Sequence, residues 1–184
     1  MHIELFAKPR RAVAALAIYT GLLLGTLGQT PQLVKWISGA GYLKEAVLIS
    51  AALALGAVIF FSARAGRLKE PSLWITLGLS ILVYLAVVKL TPQTPVERFH
   101  LITYGILALL VFSAGRFIWE GMKLYAASGV ITAATGALDE IIQHFLPNRF
   151  FDWKDIAINA VGGVVMLAII RFAFGDRGGI RRPR

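Results

Sequence analysis

Long apolar stretches alternate along the chain with short segments that contain charged residues, proline or glycine. A helix that crosses a bilayer needs about 20 mostly apolar residues, and six stretches approach that length when their flanks are included. They cover residues 12–28, 46–63, 73–88, 99–114, 124–138 and 156–174. The pattern predicts an all-α, polytopic bundle of about six transmembrane helices, folded as a single transmembrane domain over residues 1–184.

The fifth stretch is the shortest, and we expect its helix to continue beyond residue 138 to about Phe145. Pro147 should then end the helix, because proline lacks the backbone N–H that a helix interior requires. Small residues recur in this stretch and in the Gly21-x-x-x-Gly25 pattern of the first one. Because small side chains let membrane helices approach closely, both patterns predict helix contacts.

Composition supports a membrane protein and excludes several other classes. Hydrophobic residues make up 57% of the chain and charged residues 16%, whereas roughly 25% of an ordinary soluble domain is charged. This composition excludes a disordered protein, and the lack of cysteine excludes a secreted disulfide scaffold. The net charge of +9 fits basic cytoplasmic loops, so no nucleic-acid partner is expected.

The distribution of lysine and arginine predicts the orientation of the bundle. Of the 19 basic residues, 13 fall on the side of the N-terminus when the six stretches cross the membrane in turn, and 6 fall on the other side. Cytoplasmic loops carry an excess of basic residues. Both termini should therefore be cytoplasmic.

Polar residues collect at one predicted surface of the bundle. The start of the fourth helix, the end of the fifth and the start of the sixth should all face the extracytoplasmic side. The residues there are Glu97, Arg98, His100, Asp139, Glu140, Gln143, His144, Arg149, Asp152, Asp155 and Asn159. Because an ionisable group that faces lipid is costly, these side chains should turn inward and meet one another or a water-filled cavity.

Residues three or four positions apart share a helix face, and several of these polar residues have that spacing. They are Glu140 with Gln143 and His144, Asp139 with Gln143, Asp155 with Asn159 and Gly162, and His100 with Tyr104. The density of acids, amides and imidazole from three helices favours a functional site.

Structural explanations stay open beside the functional one. Asp152 can cap a helix N-terminus, and Glu140 can pair with Arg149 only to brace the loop. His100 and Tyr104 can be interfacial side chains, since aromatic rings favour the edge of the membrane.

The run from Asp139 to Gly163, D-E-I-I-Q-x-F-x-P-x-R-x-x-D-x-x-D-I-x-x-N-x-x-G-G, resembles the signature of VanZ-like membrane proteins. The upstream run R-F-H-L-I-T-Y-G-I-L resembles the preceding helix of that family, so the resemblance covers residues 97–165. Its motif positions fall on His100, Tyr104, Glu140, Gln143, Arg149, Asp155 and Asn159. Asp152 stands where many relatives have serine, which suits a helix cap.

The resemblance implies a multi-pass protein of the bacterial plasma membrane more firmly than it implies an activity. The founding member of the family is associated with resistance to the glycopeptide teicoplanin, and whether this chain is an enzyme stays open. The first hypothesis is that it recognises or modifies a lipid headgroup or a lipid-linked cell-wall precursor at the extracytoplasmic interface.

Under this hypothesis each polar residue has an expected role. The catalytic candidates are Glu140 as acid or base, His100 as its partner, and Asp155. The candidates for substrate binding are Arg149, which would hold a phosphate or carboxylate, with Gln143, Asn159, Tyr104 and Asp139.

Three alternatives stay open. The polar residues can lock together the helices of a non-enzymatic accessory subunit, which would have other membrane proteins as partners. They can belong to a proton-coupled transporter, although no inverted repeat is present. Asp139, Glu140 and Asp155 can bind a divalent cation through oxygen ligands. No motif for a zinc site or a phosphate-binding loop occurs, and no cofactor is expected.

Overall fold

A computed structural model describes residue 6 and residues 8–90, 97–147 and 151–175 of the chain. Over these residues the fold is all-α, as predicted, with seven α-helices and no strand. The helices are α1 (Pro9–Gly25), α2 (Thr30–Gly39), α3 (Leu43–Arg64), α4 (Pro71–Leu90), α5 (Glu97–Gly115), α6 (Gly121–His144) and α7 (Trp153–Ala168). A π-helical turn, Ile169–Ala173, continues directly from α7.

Each of the six predicted stretches coincides with a long helix, and the seventh helix, α2, was not predicted. It has only ten residues, and Gln32 and Lys35 interrupt its apolar positions, so it lacks the length of a membrane span. The predicted extension of the fifth stretch is confirmed, because α6 ends at His144 with Phe145 as its C-cap.

Within the described ranges, three helices are long and apolar enough to cross a membrane: Leu43–Arg64, Pro71–Leu90 and Trp153–Ala173, with mean hydropathies of 2.4, 2.1 and 2.1. Phe99–Gly115 is a shorter apolar helix. These features support a membrane-embedded helical bundle. The six spans and the cytoplasmic termini stay predictions.

Burial follows the pattern expected in hydrocarbon surroundings. Leu53 and Val164 are 69% and 62% exposed, whereas Asp139, Glu140 and Asn159 are at most 1% exposed. Large apolar side chains thus point outward while acids and amides lie inside. Lipid does not penalise exposed leucine and valine, but it does penalise exposed carboxylates.

Helices α5, α6 and α7 pack tightly against one another because glycines lie at their contacts. A methyl group added at Gly162 would lie 2.6 Å from the carbonyl oxygen of Leu101 on α5. One added at Gly163 would lie 2.9 Å from the Thr132 side chain on α6. Since only glycine leaves room for such an approach, these positions set the spacing of the three helices.

The contact predicted for Gly21-x-x-x-Gly25 is wrong. Among the described residues, no atom of a neighbouring helix lies within 4 Å of where a side chain would begin at Gly21 or at Gly25. The spacing of the two glycines does not indicate which face of α1 meets its neighbour. That helix contacts α5, and the Tyr19 hydroxyl donates to the Thr103 carbonyl at 2.9 Å.

A polar network that we call the Arg67 network joins the α3–α4 turn to the end of the last helix. Arg67 Nε donates to the Ala173 carbonyl at 3.0 Å, and its Nη2 donates to the Phe172 carbonyl at 3.2 Å and to Ser72 Oγ at 3.1 Å. The Ser72 hydroxyl also donates to the Phe172 carbonyl, at 3.0 Å. The last carbonyls of a helix have no partner within it, so the network caps this end.

Candidate functional site

The buried polar side chains of α5, α6 and α7 meet where α5 and α7 begin and α6 ends. We call this group the polar cluster, and its members are His100, Tyr104, Asp139, Glu140, Gln143 and Asn159. All except the half-buried His100 are at most 2% exposed. Polar groups in such a place are stable only when hydrogen bonds or a ligand compensate for their lost contact with water.

One half of the polar cluster is centred on Asp139. The Tyr104 hydroxyl on α5 donates to its Oδ2 at 2.7 Å, and Gln143 Nε2, one turn further along α6, donates to its Oδ1 at 2.8 Å. Each carboxylate oxygen of Asp139 therefore has a donor. This arrangement fixes α5 against α6 and gives Asp139 a positioning role.

The other half contains His100, Asn159 and Glu140. His100 Nδ1 lies 2.8 Å from Asn159 Oδ1, and an amide oxygen only accepts, so the imidazole donates this hydrogen bond. In a neutral ring the second nitrogen, Nε2, then carries the lone pair that accepts a proton. The His100 ring lies nearly parallel to that of Tyr104, at 12°, with 6.2 Å between centroids.

Glu140 is held by the backbone of α7's first residues. Its Oε2 accepts a hydrogen bond from the backbone N–H of Asp152 at 3.1 Å. Its Oε1 is buried and has no hydrogen-bond partner among the described residues, and the same is true of Asn159 Nδ2. Glu140 also lies within electrostatic range of Asp155, Asp139 and His100. An acceptor and a donor are thus left unsatisfied in one buried group of side chains.

Asp152 has the capping role considered for it. It is the N-cap of α7, and its Oδ1 accepts a hydrogen bond from the Lys154 backbone N–H at 2.8 Å. An N-cap residue has extended backbone and a free N–H of its own, and this N–H is the one that binds Glu140. Sequence reasoning found the cap but missed this second contact, which joins residues twelve apart.

Gly136 supports the polar cluster, and it is one of the small residues of the fifth stretch that predicted helix contacts. A methyl group there would lie 2.8 Å from Asn159 Cβ and 3.3 Å from Tyr104 Cε1. The glycine lets α5 and α7 bring these two side chains over α6. Gly136 lies three residues before Asp139 and four before Glu140, so it shares a helix face with them. This spacing links the glycine to the polar cluster.

The remaining predicted residues fall in different places. Asp155 is half-buried in the first turn of α7. Arg149 lies outside the described residues, so its binding of a phosphate or carboxylate and the alternative pairing with Glu140 both stay predictions. His144 is exposed, and its ring meets that of Phe145 with 5.3 Å between centroids, away from the hydrogen bonds of the polar cluster.

The cation alternative gains no support from the geometry. Within the described ranges, no three or more histidine, cysteine, aspartate or glutamate side chains are arranged to hold a metal ion. Asp139 uses both carboxylate oxygens to accept hydrogen bonds from Tyr104 and Gln143.

Comparison with known proteins gives one match. The family model described as VanZ/LLP1 matches residues 48–174, a range that runs from α3 to the end of the π-helical turn and contains every residue of the polar cluster. The search of curated proteins and the search of solved structures found no match. The family match covers well over half of the chain and extends the region of resemblance, 97–165, toward the N-terminus. The chain belongs to the VanZ/LLP1 family.

Proposed function

We propose that the protein recognises or modifies the polar headgroup of a membrane lipid or of a lipid-linked cell-wall precursor at the extracytoplasmic face of the plasma membrane. The observation that carries this proposal is a pair of buried atoms beside His100, Glu140 Oε1 and Asn159 Nδ2, that have no hydrogen-bond partner in the described part of the chain. Buried polar atoms without partners are rare and call for an explanation such as a ligand.

The two halves of the polar cluster suggest different roles. Glu140, His100 and Asn159 would contact the headgroup: the carboxylate accepts a hydrogen bond or a proton, the imidazole Nε2 exchanges a proton, and the amide donates. Arg149 would bind a phosphate or carboxylate of the same ligand. Tyr104, Gln143 and Asp139 would position these groups, because their mutual hydrogen bonds already occupy the Asp139 carboxylate.

A narrower form of the proposal links this activity to glycopeptide resistance, as in the founding member of the family. Susceptibility to teicoplanin should then fall when the gene is expressed, compared with an empty vector. This readout can rank site variants only after the wild-type gene has produced that difference.

One observation favours the accessory-subunit alternative. The Asp139 half of the cluster resembles a structural lock, since its hydrogen bonds join α5 to α6. If the whole cluster had this role, Glu140 Oε1 and Asn159 Nδ2 should also have hydrogen-bond partners, and neither has one among the described residues. These two atoms therefore favour the headgroup proposal over a purely structural role of the polar cluster in an accessory subunit.

Another observation bears on the transporter alternative. Ser128 and Thr132 lie on the Glu140 face of α6, both fully buried and with hydroxyl oxygens that have no described hydrogen-bond partner. Such a column could hold water. At Gly136, between this column and Glu140, Asn159 and Tyr104 pack closely against the helix, an arrangement that does not favour a continuous water path.

Lipid identification tests the proposal directly. We expect that wild-type protein extracted in native lipid discs retains one headgroup class above its share of the membrane, as measured by mass spectrometry. Glu140→Gln should lose this enrichment, because the neutral amide no longer offers a carboxylate to the ligand. Glu120→Gln, at an exposed site, is the matched control. An identical lipid profile for wild type and Glu140→Gln would overturn the proposal.

The side of the membrane needs a separate test. A single cysteine at Ser38 or Asn148 should react with an impermeant thiol reagent in intact cells, and one at Arg181 should not. Reaction only at position 181 would place the polar cluster on the cytoplasmic face and contradict the extracytoplasmic assignment.

A further inference from the structure

A cleft of about 730 Å³ lies between α3, α4, α5 and α7. Its walls are almost wholly apolar, with small residues such as Ala51, Ala54 and Gly105 giving it width. The volume falls within the range of roughly 300–1,000 Å³ that is typical of ligand sites. The cleft is therefore large enough for a bound molecule, and its lining suits hydrocarbon.

The cleft opens sideways, toward the surroundings of the bundle. Leu48, Leu53, Ile81 and Ile106 line it and are 63%, 69%, 45% and 38% exposed. Two of its walls, α3 and α4, are long and apolar enough to cross a membrane. A molecule that enters through this opening comes from the hydrocarbon layer, so a water-soluble solute is an unsuitable occupant.

One end of the cleft adjoins the polar cluster. Leu101 and Gly162 line the cleft and contact each other through the α5 backbone. Leu101 follows His100, and Gly162 follows Asn159 by three residues, a rise of about 4.5 Å along a helix. The His100–Asn159 hydrogen bond therefore lies just past the end of the cleft, and His100 is half-buried there.

The cleft has the length of one membrane leaflet. Its lining runs from Leu48 to Phe61 on α3, thirteen steps that rise about 20 Å. On α5 it runs from Leu101 to Leu109, about 12 Å by the same rise. The hydrocarbon core of one leaflet is about 15 Å thick. An acyl chain of a glycerophospholipid fits this length, whereas the much longer polyprenyl chain of a lipid carrier exceeds it.

We propose that the cleft binds an acyl chain of a glycerophospholipid whose headgroup lies at His100 and Asn159. The headgroup part rests on the function proposed above, while the chain part rests on the cleft alone. The protein then selects its ligand at two places. The polar cluster binds the headgroup, and the cleft between α3, α4, α5 and α7 binds an acyl chain as long as one leaflet is thick.

Photo-crosslinking in reconstituted vesicles tests this inference. The probe is phosphatidylglycerol with a diazirine near the end of one acyl chain, present as a minor component in vesicles of unlabelled phosphatidylglycerol and phosphatidylethanolamine. Peptide mapping should find several-fold more label on cleft residues such as Ile102 and Leu109 than on Val130, which is 69% exposed on α6 and outside the cleft. Equal labelling of the cleft residues and Val130 would show that the probe contacts the protein only as bulk lipid, and it would overturn the inference.

A variant that fills the cleft provides the second arm. Ala54→Phe places a ring in the cleft and should lower the amount of label on the α5 residues several-fold. Ala134→Phe, at an exposed position of α6, is the matched control and should leave the label unchanged. Ala51→Phe repeats the test if Ala54→Phe does not fold. Unchanged labelling in a folded cleft variant would contradict the proposed site.

Two further outcomes separate this inference from the headgroup proposal. If Glu140→Gln loses headgroup enrichment but keeps the cleft label, both proposals stand. The other outcome is that the wild type shows no headgroup enrichment, while the label on the cleft residues is present and falls in Ala54→Phe. The acyl-chain site then stands and the headgroup site fails. A polyprenyl phosphate that displaces the label at equal concentration would overturn the choice of an acyl chain.

Discussion

The polar cluster and the Arg67 network lie at opposite ends of α7, and their hydrogen bonding differs. Arg67 is half-buried and donates to backbone carbonyls at a helix end, with Ser72 completing the network. The polar cluster is buried, combines acids, amides and an imidazole, and leaves Glu140 Oε1 and Asn159 Nδ2 without described partners.

This difference distinguishes a structural network from a candidate site. The Arg67 network satisfies carbonyls that every helix end leaves unpaired, and this need explains it. No such need explains the acid and amide of the polar cluster, whose Glu140 Oε1 and Asn159 Nδ2 have no partner among the described residues and lower stability unless something else binds them. Substitutions at the two ends should therefore separate loss of stability from loss of function.

The largest loss of stability is expected for Asp139→Ala. The substitution leaves the Tyr104 hydroxyl and the Gln143 amide as buried donors without their acceptor, and each such group costs about 1–3 kcal/mol. We expect a total of about 3 kcal/mol, measured by thermal or denaturant unfolding in detergent. Glu120→Ala, at an exposed position, should change stability little. Equal stabilities for the two variants would contradict the positioning role of Asp139.

Gly136→Ala should have the next largest effect. The added methyl group would lie 2.8 Å from Asn159 Cβ, and overpacking of this kind costs about 1–3 kcal/mol. Gly21→Ala is the matched control: its site is open, and alanine favours a helix over glycine by up to about 1 kcal/mol. The melting temperature should therefore fall in Gly136→Ala and rise in Gly21→Ala. A gain for both variants would show that α6 and α7 can separate without cost.

Arg67→Ala should lower stability by about 1 kcal/mol, because the network is partly exposed and solvent replaces some of its hydrogen bonds. Lipid selection should be unaffected, since the network lies at the far end of α7. Arg64→Ala is the control, because Arg64 is exposed one turn earlier on the same side. Loss of lipid selection without loss of stability in Arg67→Ala would reverse the roles assigned to the two ends.

The smallest effect is expected for Asp152→Ser at the α7 cap, where Asp152→Ala should match the loss in Arg67→Ala. Asp152→Ala removes the acceptor for the Lys154 N–H and should cost about 1 kcal/mol, whereas Asp152→Ser keeps a capping oxygen and should be almost neutral. Both variants keep the backbone N–H that binds Glu140. A loss of lipid selection in Asp152→Ser at unchanged melting temperature would show that the carboxylate itself contacts the ligand.

Sequence reasoning predicted the helices well because a membrane span needs a long apolar run. The same criterion missed α2, because that helix is short. The count of basic residues used Arg67 only to predict the orientation of the bundle. Spacing identified which polar residues share a helix, including Asp139 with Gln143. It did not determine that Tyr104 binds Asp139 while His100 binds Asn159, because partners on different helices depend on packing at Gly136 and Gly162.

Under the proposed function, the polar cluster binds a lipid headgroup while the Arg67 network is structural. A ligand that binds the folded state raises its melting temperature, so delipidated wild type, Glu140→Gln and Arg67→Ala should be melted with phosphatidylglycerol, phosphatidylethanolamine, cardiolipin or a polyprenyl phosphate added singly. One lipid should raise the melting temperature of wild type and Arg67→Ala by similar increments and leave Glu140→Gln almost unshifted. Equal increments in all three proteins, or none with any lipid, would contradict the claim.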